Sequence, residues 1–243
     1  AMRRALALVG VKGVRQAVAA LRAWPGPLNE AEAAGLKQLM DRVRLAAHAA
    51  QALRPPGYDA EAVYLVAVLQ NLGRLLVQYH FAPEAAQIAE LMAPIAAEDA
   101  EDGREAPGMS EEGAAYAVLG VDIESLGIAV ARQWGLGDDV VHMMRRLPPL
   151  RPVRTSEGDA DTLRIVASAA NEAVDAVTRI APERAEAALQ TVVQRYARAL
   201  GISQRDLEDA LHQARLALQG RHPPAETGGV PQAASRIETP TAG

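Results

Sequence analysis

The chain of 243 residues has no cysteine, one phenylalanine and two tryptophans. Without thiols there is no disulfide framework, no thiolate metal site and no cysteine nucleophile, and a reducing compartment, the cytoplasm, is the expected location. Aromatic residues are only 3% of the sequence, so an aromatic cage for a cationic ligand is excluded, and Trp134 before Gly135 reads as a core anchor at a helix end. No apolar run approaches the roughly 20 residues of a membrane span. The first residues lack the charged-then-apolar layout of a signal peptide, and no basic amphipathic stretch suits a membrane surface. Clustered positive charge is missing too. The net charge is -5, and the arginines are interleaved with acids, which argues against a nucleic-acid surface; Arg145-Arg146 remains as a local basic spot.

What is present is apolar and helical. Apolar residues make up 49% of the chain, with alanine and leucine prevailing over the β-branched types, so an all-α fold is expected. The length allows one large domain or two small ones. Helical periodicity is nearly continuous and is cut by Gly and Pro punctuation. The pattern predicts a helix over 3–24, and a second that starts with a capping box at Asn29 and Glu32 and ends near Leu53. Its apolar face is expected to hold Leu36, Leu39, Met40, Val43, Ala46 and Ala47. A third helix, capped by Asp59, is expected to run to Phe81 with Gly73 inside it or at a break. Further helices are expected over 83–97, from Ser110 to Leu119, from Asp122 to Trp134, and over 138–147, 159–180, 182–200 and 203–219. Residues 98–109 are acidic and read as a surface loop, 148–158 as a long connection, and 221–243 as a flexible tail or interdomain linker. No fixed-period repeat suggests a solenoid. One irregular multi-helix domain over 1–220 is the economical reading.

Few residues invite a chemical reading. The histidines have no partner at metal-binding spacing, and His48 reads as a packed helix residue. Ser110 and Ser203 read as helix caps, and Ser125 and Ser168 lie within helices without an evident base. Gly10-Val11-Lys12-Gly13 lacks the strand and the spacing of a phosphate loop. The exception is Val68-Leu69-Gln70-Asn71-Leu72-Gly73-Arg74, where two side-chain amides interrupt an apolar stretch.

Several segments, taken in order, resemble the HDOD domain, a helical relative of the HD phosphohydrolases found in bacterial signalling proteins. They are Ala5-Leu6-Ala7-Leu8-Val9-Gly10-Val11-Lys12-Gly13-Val14-Arg15, Leu69-Gln70-Asn71-Leu72-Gly73-Arg74-Leu75-Leu76, His80-Phe81, Gly120-Val121-Asp122-Ile123-Glu124-Ser125-Leu126-Gly127 and Arg132-Gln133-Trp134-Gly135-Leu136. The resemblance spans about residues 3–180. It implies an HD-like fold in which Gln70 and Asn71 stand at the His-Asp pair of the catalytic relatives. Arg42 would stand at the first His and Asn171 at the late Asp. Ile123 and Leu147-Pro148 occupy places where relatives carry further histidines. Family members usually have an N-terminal helical subdomain before the first of these segments, so the resemblance also implies a piece of a longer protein.

With both aspartates replaced by asparagine, the formal charge that balances a dication is gone, and Arg42 would repel the metal. Without metal there is no acidified water and no Lewis acid for a phosphoryl group. No metal and no cofactor is therefore expected, and no catalysis. Gln70, Asn71, Asn171 and Arg42 are expected to form a polar cluster tying helices together. The resemblance implies a non-catalytic output module that works through other domains of a parent signalling protein or through separate protein partners, with a homodimer as a further expectation from uncovered apolar faces. Two alternatives stay open: a small phosphorylated, nucleotide-like ligand held by Arg42 or Arg74, and a residual metal-dependent phosphohydrolase.

Overall fold

The computed structural model describes residues 28–95, 106–148, 152–156 and 158–220. The expected helix over 3–24, most of the acidic segment 98–109 and the tail from residue 221 lie outside the described residues, as does the first of the resemblance segments. Among the described residues there are ten helices and no strand, only an isolated bridge between Ile95 and Ala106. In chain order they are α1 (Glu30–Leu53), α2 (Ala60–Leu69), α3 (Leu72–His80), α4 (Ala82–Met92) and α5 (Glu111–Leu119), followed by α6 (Ile123–Gln133), α7 (Asp138–Met144), α8 (Asp159–Thr178), α9 (Pro182–Leu200) and α10 (Gln204–Gln219). No single described helix is long and apolar enough to cross a membrane.

The long α1 begins where the sequence places a capping box. The Glu32 amide donates to Asn29 Oδ1 at 2.9 Å, and the Asn29 amide donates to Glu32 Oε2 at 3.0 Å, satisfying two of the amides a helix start leaves without partners. From Leu45 to Ala50 every residue of α1 is buried. The run Ala46-Ala47 and Ala49-Ala50 presents almost no side-chain bulk, so α2, α8 and α10 can pack closely around the helix. Met40 departs from the expected apolar face: it lies on the exposed side.

The main core joins α1, α2, α8, α9 and α10 around the fully buried Tyr196, Leu163, Leu207, Val63 and Val166. Two smaller cores flank it. One, between α3, α6 and α7, contains Leu72, Leu76, Ile128, Ala131, Val141 and Met144, with Trp134 packed against it. The other joins α3, α4, α5 and the start of α6 through Val77, Ile88, Ala114, Ala115 and Ile123.

Three expected helices end elsewhere. The expected single helix from Asp59 to Phe81 is two helices, α2 and α3, bent by 46°. Asn71 leaves the helical region at φ −108° and ψ 5°, and its side chain is drawn into the core. The helix expected over 83–97 stops at Met92, with Ala93 extended. The helix expected over 138–147 stops at Met144, with Arg145 extended, and Arg164 of α8 satisfies the carbonyls beyond that end: its Nε donates to Arg145 O at 2.6 Å and its Nη2 to Arg146 O at 3.2 Å.

The glycine that follows the amide pair has a packing reason. A Cβ on Gly73 would lie 1.9 Å from the Ile123 carbonyl oxygen, and one on Gly127 would lie 2.7 Å from the Gly73 amide nitrogen. Helices α3 and α6 therefore meet backbone to backbone at Gly73 and Gly127. This contact fixes the direction of α3 just after the bend.

Candidate functional site

The amide pair sits where α2 ends against α8. Gln70, Asn71, Ser168 and Asn171 are all buried, and buried polar groups need partners. Asn71 Nδ2 donates to Asn171 Oδ1 at 2.7 Å and to Ala67 O at 2.9 Å. Asn171 Nδ2 donates to Gln70 Oε1 at 3.1 Å and to Ala67 O at 3.2 Å. Gln70 Nε2 is shared among Met143 O at 3.0 Å, Ser168 Oγ at 3.2 Å and Arg164 O at 3.3 Å. The network thus ties α2, α7 and α8 together, and Gln70 helps to cap the end of α7.

A cation completes the cluster. Arg146, released from α7 by the early helix end, turns inward; its Nη2 donates to Asn71 Oδ1 at 2.6 Å and its Nη1 pairs with Asp175 at 2.8 Å. Arg74 Nη1 approaches the same Asn71 oxygen at 3.4 Å. Burial, and then the neighbouring Arg74, lower the Arg146 pKa from its ordinary value.

Of the residues singled out in the sequence, Gln70, Asn71 and Asn171 hydrogen-bond to one another. Arg42 does not join them. It lines a cavity that Asn71 and Asn171 also border, but makes no hydrogen bond or ion pair among the described residues. Burial lowers its pKa first, and Arg179 adds to the effect. Arg74, the other candidate ligand-binding residue, is engaged with Glu111 through two nitrogens, Nε at 3.0 Å and Nη2 in a very close contact. Arg179, the C-terminal cap of α8, reaches the same carboxylate at 3.2 Å.

Sequence reading missed Arg146, Ser168, Glu111, Asp175 and Arg179. Ser168 and Asp175 were findable: they lie three residues before and four after Asn171, on one face of a helix. Arg146 and Glu111 carry no such signal, since each arrives from a different element. Ile123 and Leu147, which the resemblance set at histidine places of relatives, have backbone roles. Ile123 O abuts Gly73, and the Leu147 amide donates to Ser168 Oγ at 3.3 Å. Ser110 and Ser203 cap α5 and α10. His48 packs edge-on against Tyr64 and bonds to Gln51.

Glu111 has a consequence for acid stability. Burial alone would raise its carboxyl pKa, but Arg74, Arg179 and Arg146 outweigh burial and hold it at about 2, against an ordinary value of 4.5. A folded-state value below the unfolded one contributes stability that is complete above the unfolded value and is lost as pH falls through the folded one. Wild-type protein is expected to lose this contribution between pH 4.5 and about 2. Glu111→Gln is expected to be less stable at pH 6 and to have a flatter acid limb in that window, as read from urea midpoints at stepped pH.

A divalent cation does not fit the residues present. The Asn71 amide oxygen accepts from two guanidiniums, the Asn171 oxygen from Asn71, and the Gln70 oxygen from Asn171. The nearby carboxylates of Glu111 and Asp175 are held by arginines. Among the described residues each carboxylate beside the amides is already paired with an arginine, whereas Mg and Mn sites depend on carboxylates that can meet the charge of the ion.

The fold and this cluster define an all-α, HD-like domain with a neutral amide network at the joint between α2, α3 and α8. The HDOD domain profile matches residues 1–147, more than half of the chain, and the chain belongs to the HDOD domain family. No curated protein and no solved structure gives a match. The family match contains the Gln70-Asn71 and Gly127 segments and ends at Leu147, before Asn171. The main core nevertheless runs from Leu45 to Ala214, so the later helices pack into one body with the matched segment.

Proposed function

We propose that this domain is a non-catalytic output module of a signal-transduction protein, acting through protein contacts with other domains of its parent or with separate partners. One observation carries the reading. The amide oxygens at the positions of the His-Asp pair and the late Asp are already filled by protein donors, and the Arg146 guanidinium sits on the oxygen of Asn71. A tethered cation in that position supplies charge but no exchangeable water, so the metal-dependent attack of water on a phosphoester has no nucleophile. Family membership supports the signalling class, and the rigid amide network suits a part that transmits contacts instead of turning over substrate.

The test is hydrolysis of generic phosphoesters with Mg, Mn or Ni, alongside metal analysis of purified protein. The expected result is no turnover and less than stoichiometric metal. Stoichiometric metal accompanied by turnover would establish a residual phosphohydrolase instead.

A further inference from the structure

The cavity beside the amide cluster has an unbalanced charge. Its volume is about 110 Å³, and Arg42, Arg74 and Arg179 line it together with Glu111 and Asp175. Glu111 is shared between Arg74 and Arg179, and Asp175 is taken by Arg146. Three lining guanidiniums thus stand against two lining carboxylates, one of which is held by Arg146 from outside the cavity, and Arg42 has no hydrogen-bonded or ion-paired partner among the described residues. Asp175 acts on Arg42 only through space. A partly buried charge without a partner is costly, and an anion in the cavity would remove that cost.

We propose that the cavity binds a phosphate-sized tetrahedral oxyanion, with Arg42 as its principal ligand and Arg74 and Arg179 behind it. The guanidiniums arrive from three directions, on α1, on α3 and at the end of α8, which suits an anion with several oxygens around one centre. Arg42 keeps all its donors for the ligand, and Arg179 gives its Nη2 only to the Met92 sulfur, at 3.5 Å. Forked, permanently charged donors are the natural partners of such oxygens. Leu39, Val43, Val77 and Ile88 supply apolar parts of the wall, beside the amides of Asn71, Gln78 and Asn171. The cavity admits an anion of the size of inorganic phosphate or sulfate. The proposal rests on the reading that the site no longer holds a metal.

The experiment is thermal unfolding and titration calorimetry of the full chain in EDTA, with sodium phosphate, sulfate and acetate compared with chloride at equal ionic strength. Phosphate and sulfate are expected to raise the midpoint saturably, as a ligand that binds only the folded state must, and acetate to do so weakly. Arg42→Met, which keeps the aliphatic stem, is expected to unfold in chloride no earlier than wild type and to bind phosphate at least about tenfold more weakly. Arg42→Lys is expected to fall between the two. Absence of a phosphate-specific shift, equal affinity in Arg42→Met, or acetate matching phosphate would each overturn the oxyanion site alone. Phosphate stabilisation that appears only when Mn replaces EDTA would overturn both this site and the loss-of-metal reading.

Discussion

Gly73→Ala is expected to destabilise the domain by about 3 kcal/mol, at the upper end of what overpacking costs. The added methyl would lie 1.9 Å from the Ile123 carbonyl oxygen, an atom of the backbone that no rotamer change can move aside. Relief requires α3 and α6 to separate, which opens the small core of Leu72, Leu76 and Ile128. It also displaces the bend that aims Asn71 inward. Gly127→Ala meets the same contact from the other side, with its methyl 2.7 Å from the Gly73 nitrogen, and is expected to be the milder change. Gly137→Ala serves as the control: nothing lies within 4 Å of its Cβ and its φ of −65° suits any residue. Its cost should stay within about 1 kcal/mol, that of weakening a helix start. Urea denaturation of the three variants measures the ordering. A Gly73→Ala protein as stable as Gly137→Ala would refute the backbone contact.

Asn171→Leu carries the second large expectation, a loss of about 3 kcal/mol from orphaned buried polar groups. The volume changes modestly, but Asn171 serves three partners: it accepts from Asn71 and donates to Gln70 and to Ala67 O. Leucine leaves Gln70 Oε1 with only the long 3.5 Å contact from Ser168, and it leaves Asn71 Nδ2 with Ala67 O alone. The cost should be shared with the partners, so a double-mutant cycle with Asn71→Leu is expected to show coupling of about 1 kcal/mol or more. Independent, additive effects would mean that the amides are satisfied separately and do not act as a unit. Arg146 offers a spectroscopic check. With Asn71 altered, its Nη2 protons are expected to exchange faster than in wild type while the Asp175 pairing persists.

The legible part of the site and the hidden part differ in kind. Gln70 and Asn71 could be picked out because two amides in an apolar stretch are locally anomalous. Asn171 was added by the resemblance alone, at the place of the late Asp. Arg146 could not. Its place depends on α7 ending at Met144 and on Asn71 and Asp175, residues distant in the chain that receive its guanidinium. Arg42 was placed in the cluster by the resemblance and lies beside the amides without bonding to them, because matching a motif gives a position in the chain but not the depth of a side chain. Arg74 was legible as a candidate ligand residue, yet Glu111, a residue noticed only as a helix start, holds it.

By itself the sequence determined that this protein is all helical and where most helices begin. These follow from interactions a few residues long: caps, period and propensity. Only the tertiary structure decided that the helix through Gln70 and Asn71 is broken, that Gly73 touches Gly127, and that Arg146 lies on the amide oxygen of Asn71 while Arg42 stays unpaired. Each of these depends on the rotation and crossing of helices distant in the chain. That geometry is set by packing the whole core at once.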